Sequence, residues 1–406
     1  MQGSPRNANR TSAAGVLAPP RRTRLLLFIS SLQSGGTEQQ MVYLLKHLDR
    51  NRFEVHLLTY YPENFFADQL EGCDVTYHYV PRARGRLHSG FNRRIAAFFR
   101  RERFDLVHSM LDGPNFYARL FARRYSGSKV ITSLRNIRLA RWKYPLEWFT
   151  RGGTDLVIAN SYAVQDVLIH KLGYPENRTR VVYNGVDLSR FSATPYAQRA
   201  SLREPLGWRR EGIHLSYPVR ICAHKNHFML LRALKLLPAN VLKQVFIHVM
   251  GRVHQPSYAQ RFFAAVKGSG LSPHLIYDGE VRDVPQRIAA SDACLLVSKY
   301  DGFSNGLLES WASARPSITC EVADVPRILK DWRIALSFPI DDDAAFAARI
   351  AEFVNMPPEA RAQMGAEGRR YVEEVHTIEA LVRNTVAVYD EVLSSSSAAA
   401  QSNPNR

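Results

Sequence analysis

"ACLLVSKYDGFSNGLLESWASA" (residues 293–314) runs from an apolar stretch through a Gly/Ser/Asn loop into a helix-like segment, with a carboxylate at each border of the loop. The run 293–298 is short, apolar and flanked by polar residues, which predicts a strand buried on both faces. After it, Leu308, Trp311 and Ala312 share one face at helical spacing, with Ser304 or Asn305 available as N-cap. Helical side chains lean toward the N-terminus, so Glu309, one turn in, points back over the loop that carries Asp301. Both acids then border one crevice at the carboxyl end of a parallel strand, where open α/β sheets bind ligands. An ordinary strand-to-helix turn, with Asp301 a turn residue and Glu309 a solvated acid, is the plainer alternative.

The same alternation extends outward in both directions. Toward the N-terminus, "RLLLFIS", "FEVHLLTY", "DVTYHYV", "DLVHSM", "KVITSL", "DLVIANS" and "TRVVYN" are strand-like, and most are followed by helix-like runs. This implies parallel βα units and a doubly wound, Rossmann-like domain over residues 24–190. Residues 185–212 contain no clear strand and fit a connection. From "IHLSYPVRI" the alternation restarts and gives a second doubly wound domain over 191–375, followed by a helix over 376–393. Residues 1–23 contain no acid and read as a disordered extension, with an organelle transit peptide as the alternative; residues 394–406 read as a disordered tail. A chain of 406 residues suits two such domains. Facing each other, they form a cleft suited to a two-substrate reaction.

No apolar run approaches the roughly 18 residues needed to span a bilayer. The four cysteines are scattered without a C-x-x-C pair, so a reducing compartment is expected and a zinc site is not. The net charge of +17 is uneven, because residues 1–200 carry 30 Lys+Arg against 15 Asp+Glu. Within that half, "RRIAAFFRRER" (93–103) mixes Arg with aromatic and aliphatic residues, as helices on anionic membranes do. A merely solvated basic face fits as well. Nucleic acid is disfavoured, since no zinc-finger spacing, RNP-type motif or compact recognition helix is present.

The first strand ends in "SSLQSGGTEQQ", where Gly35 and Gly36 allow close approach of a ligand and Thr37 with Gln40 forms a capping-box pattern. Free N–H groups at such a helix start favour phosphate. In "VRICAHKNH", Arg220 and Lys225 lie at the mouth of the second domain's first strand, where two fixed cations can hold a diphosphate. His108 follows "DLV" and is expected at the carboxyl edge of the first sheet, facing the cleft. For each of these a purely structural role stands beside the functional one.

Taken together, the Gly-Gly turn, "ANS" (159–161), "YNGVDLSRF", the Arg and Lys of "RICAHKN", "GEVRDVPQRIAASDACLLVS" and the acid-x7-acid stretch resemble family 4 glycosyltransferases of the GT-B fold. The resemblance covers residues 24–393 or so. It implies that Glu309 holds the ribose of a nucleotide-sugar and that Asp301, with N–H groups of the loop spanning Phe303, Ser304, Asn305, Gly306 and Leu307, contacts the transferred sugar. It further implies that Arg220 and Lys225 hold the diphosphate, that Gly35 and Gly36 lie on the donor, and that His108 touches the sugar. Family members retain anomeric configuration and use no metal. This chain departs at Asp301, where Glu is usual; at Val219, where Gly is usual; and at "ADVPR", where Gly-Gly-x-Pro-Glu is usual.

The expected activity is therefore retaining, metal-independent transfer of a hexose-type unit from a nucleotide-diphosphate donor to a glycan or lipid-linked acceptor, with no cofactor. The expected location is cytoplasmic, peripheral on the inner membrane face. A nucleotide-sugar 2-epimerase of the same fold and a non-catalytic sugar-nucleotide-binding protein are the rivals.

Overall fold

The computed structural model describes residues 21–83, 89–138 and 143–401. Seven strands form the first sheet: β1 (Thr23–Phe28), β2 (Phe53–Thr59), β3 (Thr76–Tyr79), β4 (Leu106–Met110), β5 (Lys129–Leu134), β6 (Leu156–Ala159) and β7 (Thr179–Val181). Six form the second: β8 (Ile213–Pro218), β9 (Val245–Met250), β10 (Leu275–Gly279), β11 (Ala293–Leu296), β12 (Ser317–Cys320) and β13 (Ala335–Phe338). Their orders are β3-β2-β1-β4-β5-β6-β7 and β10-β9-β8-β11-β12-β13, parallel throughout. Parallel pairing needs helical crossovers, which explains why strand-like and helix-like runs alternate along the chain. In each sheet the order reverses beside the first strand, at β1/β4 and β8/β11, and a crevice opens there.

Six helices matter to the site: α1 (Gly36–His47), α2 (Ser89–Arg101), α3 (Lys143–Thr150), α4 (Tyr162–Asp166), α5 (Asn305–Ala312) and α6 (Ile378–Gln401). The carboxyl-terminal helix returns to the first domain, where Ile378, Leu381, Val388 and Tyr389 pack with Met41, Leu44 and Leu45 of α1. This burial of apolar surface ties the end of the chain to its beginning.

The structure corrects several expectations. The Thr37/Gln40 capping box is absent: Gly35 is the N-cap, without a side-chain hydrogen bond. Gln40 instead donates to the Gly185 carbonyl at 2.9 Å and accepts from its N–H at 2.7 Å, fastening α1 to the domain exit. Residues 21–23, read as part of the extension, are structured, with Arg21 paired to Asp105 at 2.8 Å and β1 opening at Thr23. The tail read as beginning at 394 continues α6 to Gln401, in keeping with the high helix propensity of its alanines. Residues 1–20 and 402–406 lie outside the described residues.

The connection between the domains supplies a buried anchor. Asp292, just ahead of β11, is fully buried and accepts from Arg203 at 2.6 Å, the Tyr196 hydroxyl at 2.9 Å and the His214 N–H at 2.8 Å; Arg199 also pairs with it. It thereby fixes the entry to the strand whose other end carries the Asp301 loop.

Candidate active site

A cleft of about 700 Å³ runs between the carboxyl edges of the two sheets. Asp301, Phe303, Ser304, Asn305, Gly306 and Glu309 line it from the second domain with Arg220 and Lys225, and Gly35 and Gly36 line it from the first. The unit from β11 to α5 brings both carboxylates to one wall because the loop reverses direction at the end of a buried strand. Ser304 is the N-cap of α5 and makes no side-chain cap bond, so the N–H groups of its first turn point at the cleft without that partner.

The charges are arranged in pairs and singles. The Lys225 ammonium meets the Asp301 carboxylate at 2.6 Å, and the Gly302 N–H donates to the other Asp301 oxygen at 3.0 Å. Arg220 has no carboxylate partner among the described residues. Glu309 is set in a poorly solvated wall, and burial pushes its carboxyl up to about 7 against the opposing pull of Arg190. His224 stacks on Tyr300 with centroids 5.2 Å apart, and burial lowers it to about 4, so it is neutral.

Two candidate residues do not reach the cleft. His108 is the third residue of β4, paired in register with Leu27 and Ile131 in mid-sheet, and is fully enclosed. Its ring nitrogens lie 2.7 Å from the Tyr389 hydroxyl and 2.8 Å from Ser133 Oγ, and burial lowers it to about 3. It is a neutral core histidine under α6, not a sugar contact. The Leu307 side chain is buried in the second domain's core and contributes nothing but its backbone to the loop.

The walls touch across the cleft. Asn305 Nδ2 donates to the Gly36 carbonyl at 3.2 Å while its Oδ1 accepts from Asn184 at 2.6 Å. A Cβ on Gly36 would stand 2.9 Å from Asn305 Nδ2, and one on Gly302 would collide with the Arg135 carbonyl. These glycines make room for the opposite domain as much as for a ligand. Arg252 reaches Gln33 at 3.3 Å.

The "ADVPR" segment also belongs to this seam. Asp324 is buried, accepting from the Tyr162 and Ala163 N–H groups at 2.9 Å each and from the Tyr183 hydroxyl at 2.7 Å. It thus caps α4 of the other domain, and Arg327 lies 3.9 Å over the Tyr162 ring. Ala323 holds a left-handed φ of 53°, the conformation that favours glycine. Asp324→Ala is expected to cost roughly 1.5–3 kcal/mol in denaturant unfolding, the usual worth of bonds to a charged acceptor. A change within error of zero would show that the seam adds no stability.

Sequence reasoning passed over Arg135, Asn160, Arg252 and Asp324 as individual site residues. Arg135 lines the cleft, donates to the Asn184 amide oxygen, and is lowered to about 10 by burial. Asn160 sits inside the "ANS" run, and its Oδ1 is buried with no hydrogen-bond partner among the described residues, as is Arg252 Nε. Polar residues directly after strands, at the carboxyl edge of a parallel sheet, are the signal that marks Arg135 after β5 and Asn160 after β6.

The chain matches the model described as Glycosyltransferase Family 4 over residues 34–190 and that described as Glycosyl transferases group 1 over residues 198–371. EpsD of Bacillus subtilis, provisionally described as a glycosyltransferase, is 27% identical over 293 residues, 68% of this chain and 74% of that protein. The N-acetyl-alpha-D-glucosaminyl L-malate synthase of Bacillus anthracis is 21% identical over 378 residues, 88% of this chain and 94% of that one. Among solved structures, Anabaena Alr3699/HepE in complex with UDP and glucose superposes with a TM-score of 0.79 at 17% identity, over 91% of this chain and 100% of that one. Two parallel-sheet domains, an acid-x7-acid loop at their cleft and family models that together span most of the sequence establish that this chain belongs to the family 4 glycosyltransferases of the GT-B fold.

Proposed function

We propose that this protein is a retaining, metal-independent hexosyltransferase that moves a sugar from a nucleotide-diphosphate donor to a glycan or lipid-linked acceptor. The process it serves is the synthesis of a cell-surface polysaccharide or glycoconjugate, with the protein peripheral on the cytoplasmic membrane face. The observation that carries this is the convergence of Glu309, the Lys225–Asp301 pair, Arg220 and the start of α5 on one cleft wall. HepE was solved in complex with UDP and glucose, which supports a nucleotide-sugar donor here.

In this arrangement the ribose hydroxyls donate to Glu309, and the diphosphate lies against Arg220, Lys225 and the first N–H groups of α5. As the bond from the sugar carbon to the diphosphate oxygen breaks, negative charge grows on the leaving group. Preorganised cations and a helix terminus stabilise it there. Asp301, held by Lys225, faces the sugar. The buried polar atoms Asn160 Oδ1 and Gln39 Nε2 on the cleft wall supply further partners for it or for the acceptor.

The test is thermal stabilisation of the purified protein by a panel of nucleotide-sugars, followed by transfer to acceptor. Ligand at 100 times its dissociation constant adds roughly 2.7 kcal/mol. Conversion of a donor without acceptor would identify an epimerase, and stabilisation without turnover a binding protein.

Glu309 gives this reading a pH signature. Its carboxyl holds a proton up to about 7 in the folded protein against 4.5 ordinarily, so the free protein loses stability as pH rises through that window. Donor binding needs the ionised form. UDP-glucose affinity is therefore expected to rise about tenfold between roughly pH 6 and 8, the range over which a group titrating near neutrality becomes ionised. Glu309→Gln should weaken binding about tenfold or more and flatten the profile. A parallel profile in the variant, measured by calorimetry, would exclude the ribose role.

A further inference from the structure

We propose that the outer helical face of the first domain docks on an anionic bilayer, with Trp148 and Phe149 of α3 entering the headgroup layer. The proposal deepens the lipid-linked acceptor reading above and takes the orientation of the cleft from it.

Phe149 is 77% exposed, Trp148 52% and Leu146 37%, three large apolar side chains on one short helix. The two rings stand edge to face with centroids 5.1 Å apart, and the Arg151 guanidinium lies 4.8 Å from the Trp148 ring. Leu120, on the neighbouring helical segment Ala118–Ala122, is 38% exposed. A bilayer interface accepts aromatic rings beside arginine, whereas water gives this cluster no favourable partner.

The surrounding charge has the sign such a surface requires. Strand order places the crossovers from β3 to β4, β4 to β5, β5 to β6 and β6 to β7 in one direction. Right-handed crossovers in one direction put their helices on one face of the sheet. That face holds α2 and α3 together. Arg93, Arg94, Arg100, Arg101, Arg123 and Arg124 are exposed on it. Arg101 pairs with Glu102, and Arg123 with Asp155, the latter at 3.6 Å; the other four have no carboxylate partner among the described residues. Arg119 joins α3 to the intervening helical segment through Glu147 at 2.5 Å, so the aromatic and arginine parts move as one surface. Two-fold pairing of this face with a second copy would oppose arginine to arginine, which disfavours self-association as its purpose.

The face also lies near the cleft. Lys143, the first residue of α3, pairs with Asp112, which lines the cleft as Arg138 does. A helix of this length spans about 12 Å. Docking through its far turn would therefore hold the first-domain wall close to the headgroups, where a lipid-linked acceptor presents its sugar.

The experiment is co-sedimentation of the full chain with vesicles of phosphatidylcholine alone or with phosphatidylglycerol added. Wild type is expected on anionic vesicles, with binding that weakens as salt rises. Trp148→Ser/Phe149→Ser should lower that binding about tenfold at low and high salt alike, because it removes buried apolar area, and Trp148→Leu/Phe149→Leu should keep most of it. Arg93→Gln/Arg94→Gln/Arg100→Gln/Arg124→Gln should lower low-salt binding and flatten its salt dependence. Thermal unfolding and stabilisation by UDP-glucose should match wild type in every variant. Equal binding of the serine variant and wild type, or equal binding to neutral and anionic vesicles, would overturn the proposal. So would a dimer in sedimentation equilibrium that the serine variant dissolves. Release of the serine variant from vesicles together with no nucleotide-sugar stabilising any form would leave the docking surface standing and refute the donor reading instead.

Discussion

Arg220→Ala and Lys225→Ala are each expected to lower turnover by on the order of a hundredfold or more, the usual cost of removing one preorganised stabiliser of developing charge. The two should differ in kind. Arg220 makes no salt bridge among the described residues and acts on the Glu38 carboxyl only from a distance, so its loss chiefly removes attraction. Lys225 holds Asp301 at 2.6 Å, so its loss also leaves a carboxylate facing the diphosphate. Lys225→Ala is therefore expected to weaken donor binding more than Arg220→Ala does. Adding Asp301→Ala to Lys225→Ala should restore part of the binding without restoring turnover. Steady-state kcat and donor titration separate these effects. Turnover within about threefold of wild type in both single variants would remove the diphosphate role.

Asp292→Ala is expected to destabilise the protein by about 3–5 kcal/mol, since breaking one side of a buried ion pair strands the other charge. Arg203 would keep only the carbonyls of Ala290, Arg210 and Gly212 as partners while remaining enclosed. The His214 N–H and the Tyr196 hydroxyl would lose their acceptor as well. Denaturant unfolding measures the loss, and Asp292→Asn, which keeps an acceptor oxygen, should cost less. A cost below about 1 kcal/mol would mean that the network relaxes around the change.

The fold was legible because it rests on local signals. Apolar runs such as 293–298 and the polar residues closing them report burial and strand ends directly, and their alternation with helical faces is what a parallel sheet requires. The placement of Asp301 and Glu309 on one wall followed from helix geometry one turn deep. What the sequence did not disclose depends on partners far along the chain. Gln40 has the spacing of a cap, yet Gly185, 145 residues on, offers it both a donor and an acceptor. His108 stands near a strand end, but the pleat turns it toward Tyr389, 281 residues away. Asp324 looks like a misplaced glycine until Tyr162, Ala163 and Tyr183 are brought to it. The serine and alanine tail was misread from composition, which does not distinguish a linker from a helix extended by its neighbours.

The seam between the domains has a consequence for the catalytic cycle. Asp324 on α4, Asn305 on Gly36 and Arg252 on Gln33 all stabilise the state in which the two walls face each other. The apparent affinity for a donor that needs that state is its intrinsic affinity reduced by the fraction of molecules occupying it. Each seam contact therefore raises affinity by population alone, without touching the ligand. On the proposed donor reading, any opening that frees the spent nucleotide breaks these same contacts. On the same reading a tighter seam gains capture at the expense of release, which moves the slow step of turnover from glycosyl transfer toward opening.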